Sequence, residues 1–240
     1  MLSSFTGVSK FGRKRVIPAA PPPFANPSAT VGSAVTVVAQ SPFAGGGNSY
    51  SFSSNVNSVI TFPASNNWAV GTGDFTVEWF GYQTNTTQFQ RVFSVGDYPT
   101  IKLGVSIESS TFYYWADNSF RYSSAGSTSI NTWYHWAVVR QSGTTSVYRD
   151  GVLRGSSISD TNNITDTTTN FTIGNTLTPA TNAAWVGYIT NFRFVKGLAV
   201  YTGNFTVPTS ALTAESAANP YGGSNTAAIG AGFTKLLLVP

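Results

Sequence analysis

The sequence predicts an all-β protein, a single antiparallel two-sheet sandwich behind an extended N-terminal arm. Three observations carry this expectation. Only 9% of the residues are charged, against about 25% in an average domain, while 41% are apolar and 14% aromatic. A chain this rich in Thr, Val, Tyr and Phe suits half-buried pleated surfaces rather than helices, and it is too apolar to remain disordered. From Ser33 onward, short alternating runs follow one another with Gly, Asn and Asp between them, the pattern of a sandwich or jelly roll. Before that point Pro18, Pro21, Pro22, Pro23 and Pro27 forbid a regular ladder and favour a polyproline-like path.

The arm spans 1–33 and the domain 34–240. The arm has too little apolar content to fold alone and is expected to order against a partner, with Phe5, Phe11 and Phe24 as anchors and Lys10, Arg13, Lys14 and Arg15 as its charge. Val35–Ala39, Ser49–Phe52 and Ser58–Phe62 read as the first strands of the domain. Asp74–Tyr82 alternates clearly: Phe75, Val77 and Trp79 share one face, Thr76, Glu78 and Phe80 the other. Gln90–Val95, Thr100–Ile107, Thr111–Trp115 and Trp133–Gln141 follow. Thr144–Arg149 and Val152–Ser156 form a hairpin across Asp150-Gly151, because both central residues of that turn take positive φ. Asn170–Gly174, Trp185–Lys196, Ala199–Tyr201 and Lys235–Val239 complete the strands, with Thr213–Gly232 a long loop before the last one. Trp68, Trp133, Trp136 and Trp185 are expected in the core. Val35–Ala39 and Leu236–Val239 are expected as neighbours in one sheet.

The chain is long enough, at 240 residues, to bury a sizeable core without staples. It has no cysteine, which removes disulfides and thiolate metal sites. The formal charge of +4 is local: four of the thirteen basic residues lie in the arm, and the remaining nine balance the nine acids. The domain therefore offers no overall field to steer it toward nucleic acid or a membrane. No apolar stretch approaches the ~20 residues of a membrane span, and the first residues do not form a secretion signal, so synthesis in a cytoplasm is expected. Four arm charges with no interleaved stacking platform make a poor nucleic-acid surface. They suit an acidic groove on a neighbouring protein better.

Three segments resemble a known family. Val70-Gly-Thr-Gly-Asp-Phe-Thr-Val-Glu-Trp79, Thr132-Trp-Tyr-His-Trp-Ala-Val-Val-Arg140 with Thr145–Gly151, and Gly187–Gly197 with Ala199–Thr209 are similar, in order and spacing, to the repeated strands of laminin G-like, concanavalin A-like jelly rolls. The third is typical of copies in virion proteins of tailed bacteriophages. The resemblance covers about Ser49 to Thr213 and not the arm. It implies a concanavalin A-like lectin/glucanase jelly roll.

Glucanases of that fold carry Glu-x-Asp-x-x-Glu on one strand face, placing two carboxylates as nucleophile and acid. The present chain has only Glu78, Glu108 and Glu215, with no Asp two or three residues from any of them, so no catalytic residue is assigned and no enzymatic activity is expected. Asp74 belongs to the turn before its strand. His135, the only histidine, has no Gly-x-Ser-x-Gly elbow to serve and is read as structural. Some laminin G-like domains hold calcium through oxygen ligands. Asp97, Asp117, Asp160 and Asp166 fall singly in loops, and no cofactor is assigned. Aromatic rings beside amides and an Arg suit sugar recognition. Tyr114, Trp115, Asp117, Asn118 and Arg121, within Thr111–Tyr122, are the carbohydrate-binding candidates. The competing reading of that stretch is a hairpin whose rings fill core and edge positions.

These readings converge on a non-enzymatic virion protein. Its arm would tether it to other capsid or tail proteins, and its jelly roll would face outward as a capsid decoration or adhesion module with a cell-surface glycan as partner. A tail-fibre receptor-binding protein and a free-standing lectin are the alternatives, with a glycan hydrolase third. Homo-oligomerisation is left open.

Overall fold

The computed structural model describes residues 23–240 apart from 87–88, 98, 125–127 and 179–181. Of the arm residues, Phe5, Lys10, Phe11, Arg13, Lys14 and Arg15 lie outside the described residues, and Phe24 is half-buried. The described residues form sixteen strands: β1 Thr30–Val31, β2 Thr36–Val38, β3 Ser49–Phe52, β4 Ile60–Phe62, β5 Phe75–Gln83, β6 Phe89–Val95, β7 Leu103–Glu108, β8 Thr111–Ala116, β9 Ser119–Ser124, β10 Trp133–Gln141, β11 Thr144–Arg149, β12 Val152–Leu153, β13 Ile158–Ser159, β14 Phe171–Ile173, β15 Gly187–Lys196 and β16 Thr234–Leu238.

They build two antiparallel sheets. The seven-stranded sheet runs β1-β4-β14-β6-β7-β8-β9, and the nine-stranded sheet runs β12-β11-β10-β5-β15-β3-β2, with β13 on β11 and β16 on β15. Strands β2 and β16 share the second sheet, but they are not paired with each other as expected. β3 holds residues Gly187–Ile189 of β15 while β16 holds Phe192–Val195, and β2 pairs outside β3. β1 lies within the stretch read as arm and pairs with β4. Nearby, Asn26 makes two hydrogen bonds to the backbone of Leu237, at 2.6 and 2.8 Å.

The alternation of each strand sends one set of side chains between the sheets. Phe75, Val77 and Trp79 of β5 meet Phe93 of β6, Phe112 of β8 and Phe171 of β14, all fully buried. Trp79 sits at the centre, 6.1 Å from Phe93, 6.4 Å from Phe112 and 6.5 Å from Trp136 between ring centroids. Each such side chain contributes roughly 1.5–3 kcal/mol by leaving water. The turns follow the same chemistry. Asp150-Gly151 has φ of 52° and 75°, the two left-handed positions that a two-residue hairpin requires. Gly151 is also needed for space, since a Cβ there would lie 2.1 Å from the Phe205 carbonyl oxygen.

The outer face of the nine-stranded sheet is not bare. Ala199–Tyr201, expected as a strand, is instead part of a cover; among these residues only Tyr201 makes a bridge, to Thr226. Ala199, Val200, Tyr201, Phe205 and Ile229 bury a second cluster against Ala137, Val139, Tyr148 and Val195. Its backbone bonds go to the sheet's side chains and to its own return: the Val200 amide donates to the Thr76 hydroxyl at 2.9 Å and its carbonyl accepts from Ala227 at 2.7 Å. This cover is why Thr76 and Glu78, on the polar face of β5, are fully buried.

Candidate functional site

Glu78 lies at the middle of β5 under the cover, with all its acceptor capacity engaged. Oε1 accepts from Arg193 Nε at 2.9 Å and Nη2 at 2.6 Å; Oε2 accepts from the Tyr201 hydroxyl at 2.7 Å and meets His135 Nε2 at 3.1 Å. Burial alone would raise its pKa, but the Arg193 guanidinium, followed by the bonds from His135 and Tyr201, brings it from the usual 4.5 to about 2. A carboxylate can only accept, so His135 donates through Nε2, and its other ring nitrogen is Nδ1. That Nδ1 is buried and has no partner in the protein.

His135 also lines a cleft of about 350 Å³ on the same sheet face. Phe80 and His135 come from the sheet, Pro42, Phe43 and Ala44 from one loop, and Val207, Pro208 and Thr209 from the cover, with Trp133 and the exposed Asp150 alongside. Phe43 is fixed there by an edge-on contact with Phe80 at 5.1 Å. Trp133 continues into a cross-strand row. It pairs with Tyr82 of β5, which pairs with Tyr188 of β15, and their rings lie 5.3 and 5.4 Å apart. All three are half-buried. Trp68, Trp136 and Trp185 are in the core as expected, but Trp133 is not. Alternation puts it on the face of His135, one step beyond where the cover ends. That parity was available in the sequence; the boundary of the cover was not.

The sequence-derived carbohydrate candidates sit elsewhere, at the β8–β9 hairpin on the seven-stranded sheet. Asp117 and Asn118 form its two-residue turn with φ of 44° and 62°. Tyr114 points into the core, fully buried, and its hydroxyl donates to Asp160 at 2.7 Å; burial and the neighbouring Asp160 raise its pKa well above 10. It therefore cannot meet a sugar. Trp115 is half-buried on the opposite face, where its indole donates to Ser106 at 3.3 Å and its ring meets the exposed Phe120 at 5.6 Å. Arg121 donates to Asn162 at 2.7 Å. The hairpin thus separates Tyr114 from the other four, which stay at the surface or half-buried.

The four aspartates weighed for calcium are each occupied separately. Asp160 accepts from Tyr114, Thr145 and Asn162, and lies 3.9 Å from Arg140. Asp117 faces Lys102 at 3.6 Å, Asp97 accepts from the Thr178 amide, and Asp166 accepts from Thr168 and Thr169. Among the described residues, no three acids or histidines converge as a metal site would need, so these residues do not fit a calcium ion.

A family model described as the concanavalin A-like lectin/glucanases superfamily matches residues 52–198, more than half of the chain. No curated protein matches the sequence. Among solved structures, the binding domain of Paraclostridial Mosquitocidal Protein 1 aligns at TM-score 0.55 and 14% identity, over 72% of this chain and 44% of that one. The enzymatically active domain of bacteriophage CBA120 tailspike protein 2 aligns at TM-score 0.54 and 15% identity, over 75% of this chain and 30% of that one. The chain thus spans less than half the length of either. Likeness at that identity shows the fold alone. The family match, the two antiparallel sheets and the three quoted segments agree, and the chain belongs to the concanavalin A-like lectin/glucanase superfamily.

Proposed function

We propose that the protein is a non-enzymatic glycan-binding module, carried on a virion by its N-terminal arm. The observation that carries the glycan reading is the half-buried row Trp133–Tyr82–Tyr188 beside a cleft walled by Phe43, Phe80 and Trp133. Ring faces stack on the apolar C–H faces of a pyranose, and the polar edge of the sugar meets the amides and hydroxyls at the rim. The state of Glu78 supports the non-enzymatic part. A glycosidase acid must hold a proton near neutral pH and reach the scissile oxygen, whereas this carboxyl is held at about 2 and fully buried. The virion part rests on the phage-like segment Gly187–Thr209 and the basic, proline-rich arm. Many copies on a particle would make weak contacts effective through avidity.

Two variants test the two parts. Trp133→Ala lowers glycan affinity tenfold or more, about 1.4 kcal/mol, read by titration calorimetry. Unchanged affinity would remove this surface as the site. Deleting residues 1–22 leaves every described strand in place, abolishes incorporation into particles and preserves glycan binding. Full occupancy of particles by the truncated protein would end the tether reading.

A further inference from the structure

We propose that the site takes a neutral oligosaccharide lying across two adjacent subsites, rather than a single terminal sugar or an anionic glycan. The inference rests on the glycan reading above and deepens it. The cleft at Trp133 adjoins a second of about 210 Å³, and Phe43 and Thr209 line both. The two differ in chemistry in the way that a sugar chain does. The first is walled by Phe43, Phe80, Trp133 and Pro208, with the buried His135 behind them. The second presents the exposed Asn48 and Ser210 and the backbone of Gly45–Gly47. An aromatic wall accepts the apolar face of one ring, and amides and hydroxyls accept the polar edge of the next.

Charge selects further. Among the described residues, the side chains lining the two clefts include no Lys or Arg, and Asp150 is the one carboxylate. The nearby charges are already paired, Glu78 with Arg193 and Asp150 with Arg149 at 3.8 Å. A sialic or uronic acid would meet no lysine or arginine and one like charge. A neutral hydroxyl meets neither difficulty. His135 lies beneath the first subsite and is held there by Glu78.

The test is a printed array of neutral, sialylated and uronic-acid glycans of one to four units, probed with the full chain and with Asn48→Trp, which fills the second cleft from an exposed loop. Titration calorimetry then follows with the best-bound array glycan and its constituent monosaccharide. Affinity is expected to rise tenfold or more from one unit to two. Neutral glycans should exceed anionic ones of equal length, and Asn48→Trp, at the second subsite, should erase the length dependence. Equal affinity for one unit and two overturns the two-subsite claim and leaves the glycan reading standing. Preference for anionic glycans overturns the charge claim. A blank array with protein whose thermal melting is intact overturns both the proposal and the reading beneath it.

Discussion

Replacing Arg193 by methionine is expected to lower the stability of the domain by about 3–5 kcal/mol, the cost of leaving a buried charge without its partner. At roughly 2–4 °C per kcal/mol for a domain of this size, the melting temperature falls by about 10 °C. The size of the effect follows from geometry. Glu78 and Arg193 face each other across neighbouring strands, paired in register, with the carboxylate fully buried and the guanidinium also bonded to the Thr213 carbonyl at 2.7 Å. Without Arg193 the desolvated carboxylate keeps only the hydroxyl of Tyr201 and the imidazole of His135. The double variant Glu78→Gln with Arg193→Met removes both charges and is expected to recover much of the loss, since apolar replacement of a whole buried pair is often near neutral. The same pair sets an acid limb. The folded carboxyl binds its proton less tightly than the unfolded one, so its contribution is present above about pH 4.5 and is lost as pH falls toward 2. It amounts to about 3 kcal/mol. Chemical denaturation from pH 6 to pH 2 measures this, and the double variant should lack that portion of the slope.

Gly187→Ala is the second large effect, with an expected loss of about 3–5 kcal/mol from a disfavoured backbone conformation and overpacking together. Gly187 has φ of 136°, and a Cβ there would lie 2.0 Å from the Tyr82 carbonyl oxygen and 3.1 Å from Gln83 Cα. No side-chain movement relieves a contact with backbone, so β15 must withdraw from β5. These are the strands that bring Tyr188 beside Tyr82. Glycan affinity should therefore fall with stability, which separates this variant from Arg193→Met, whose damage lies under the cover. A Gly187→Ala protein melting within 2 °C of the parent would contradict the close approach, on the ~2–4 °C per kcal/mol scale.

Much of the sandwich was legible because period-two alternation is a local signal. Ser49–Phe52, Trp133–Gln141 and Thr144–Arg149 stand as strands with the same bounds in sequence and structure, and Asp150-Gly151 makes its turn. Strand β9 was legible only as the second half of the hairpin reading of Thr111–Tyr122, without its bounds or register. Its register with β8 shifts between Tyr114 and Trp115, which breaks the alternation of Phe120, Arg121 and Tyr122, and the turn before it uses Asp117-Asn118 without a glycine. The cover was hidden for a different reason. Ala199–Tyr201 has a strand's composition, but it gains burial by lying on a sheet whose outer face looks polar until Thr76, Glu78 and Arg193 are seen to pair beneath it. From the cover, Tyr201 reaches down to Glu78. The candidate site suffered from the same nonlocality. Tyr114 and Trp115 are adjacent in sequence and on opposite faces in space, whereas Phe43, Trp133 and Thr209 are far apart in sequence and share one cleft.

Titrating nitrogen-15-labelled protein with the best-bound neutral oligosaccharide, and following the tryptophan indole resonances, distinguishes the two aromatic surfaces directly. The Trp133 indole is expected to shift and saturate while that of Trp115, on the opposite sheet, stays fixed. A saturating shift at Trp115 with Trp133 unmoved would contradict the assignment of the cleft.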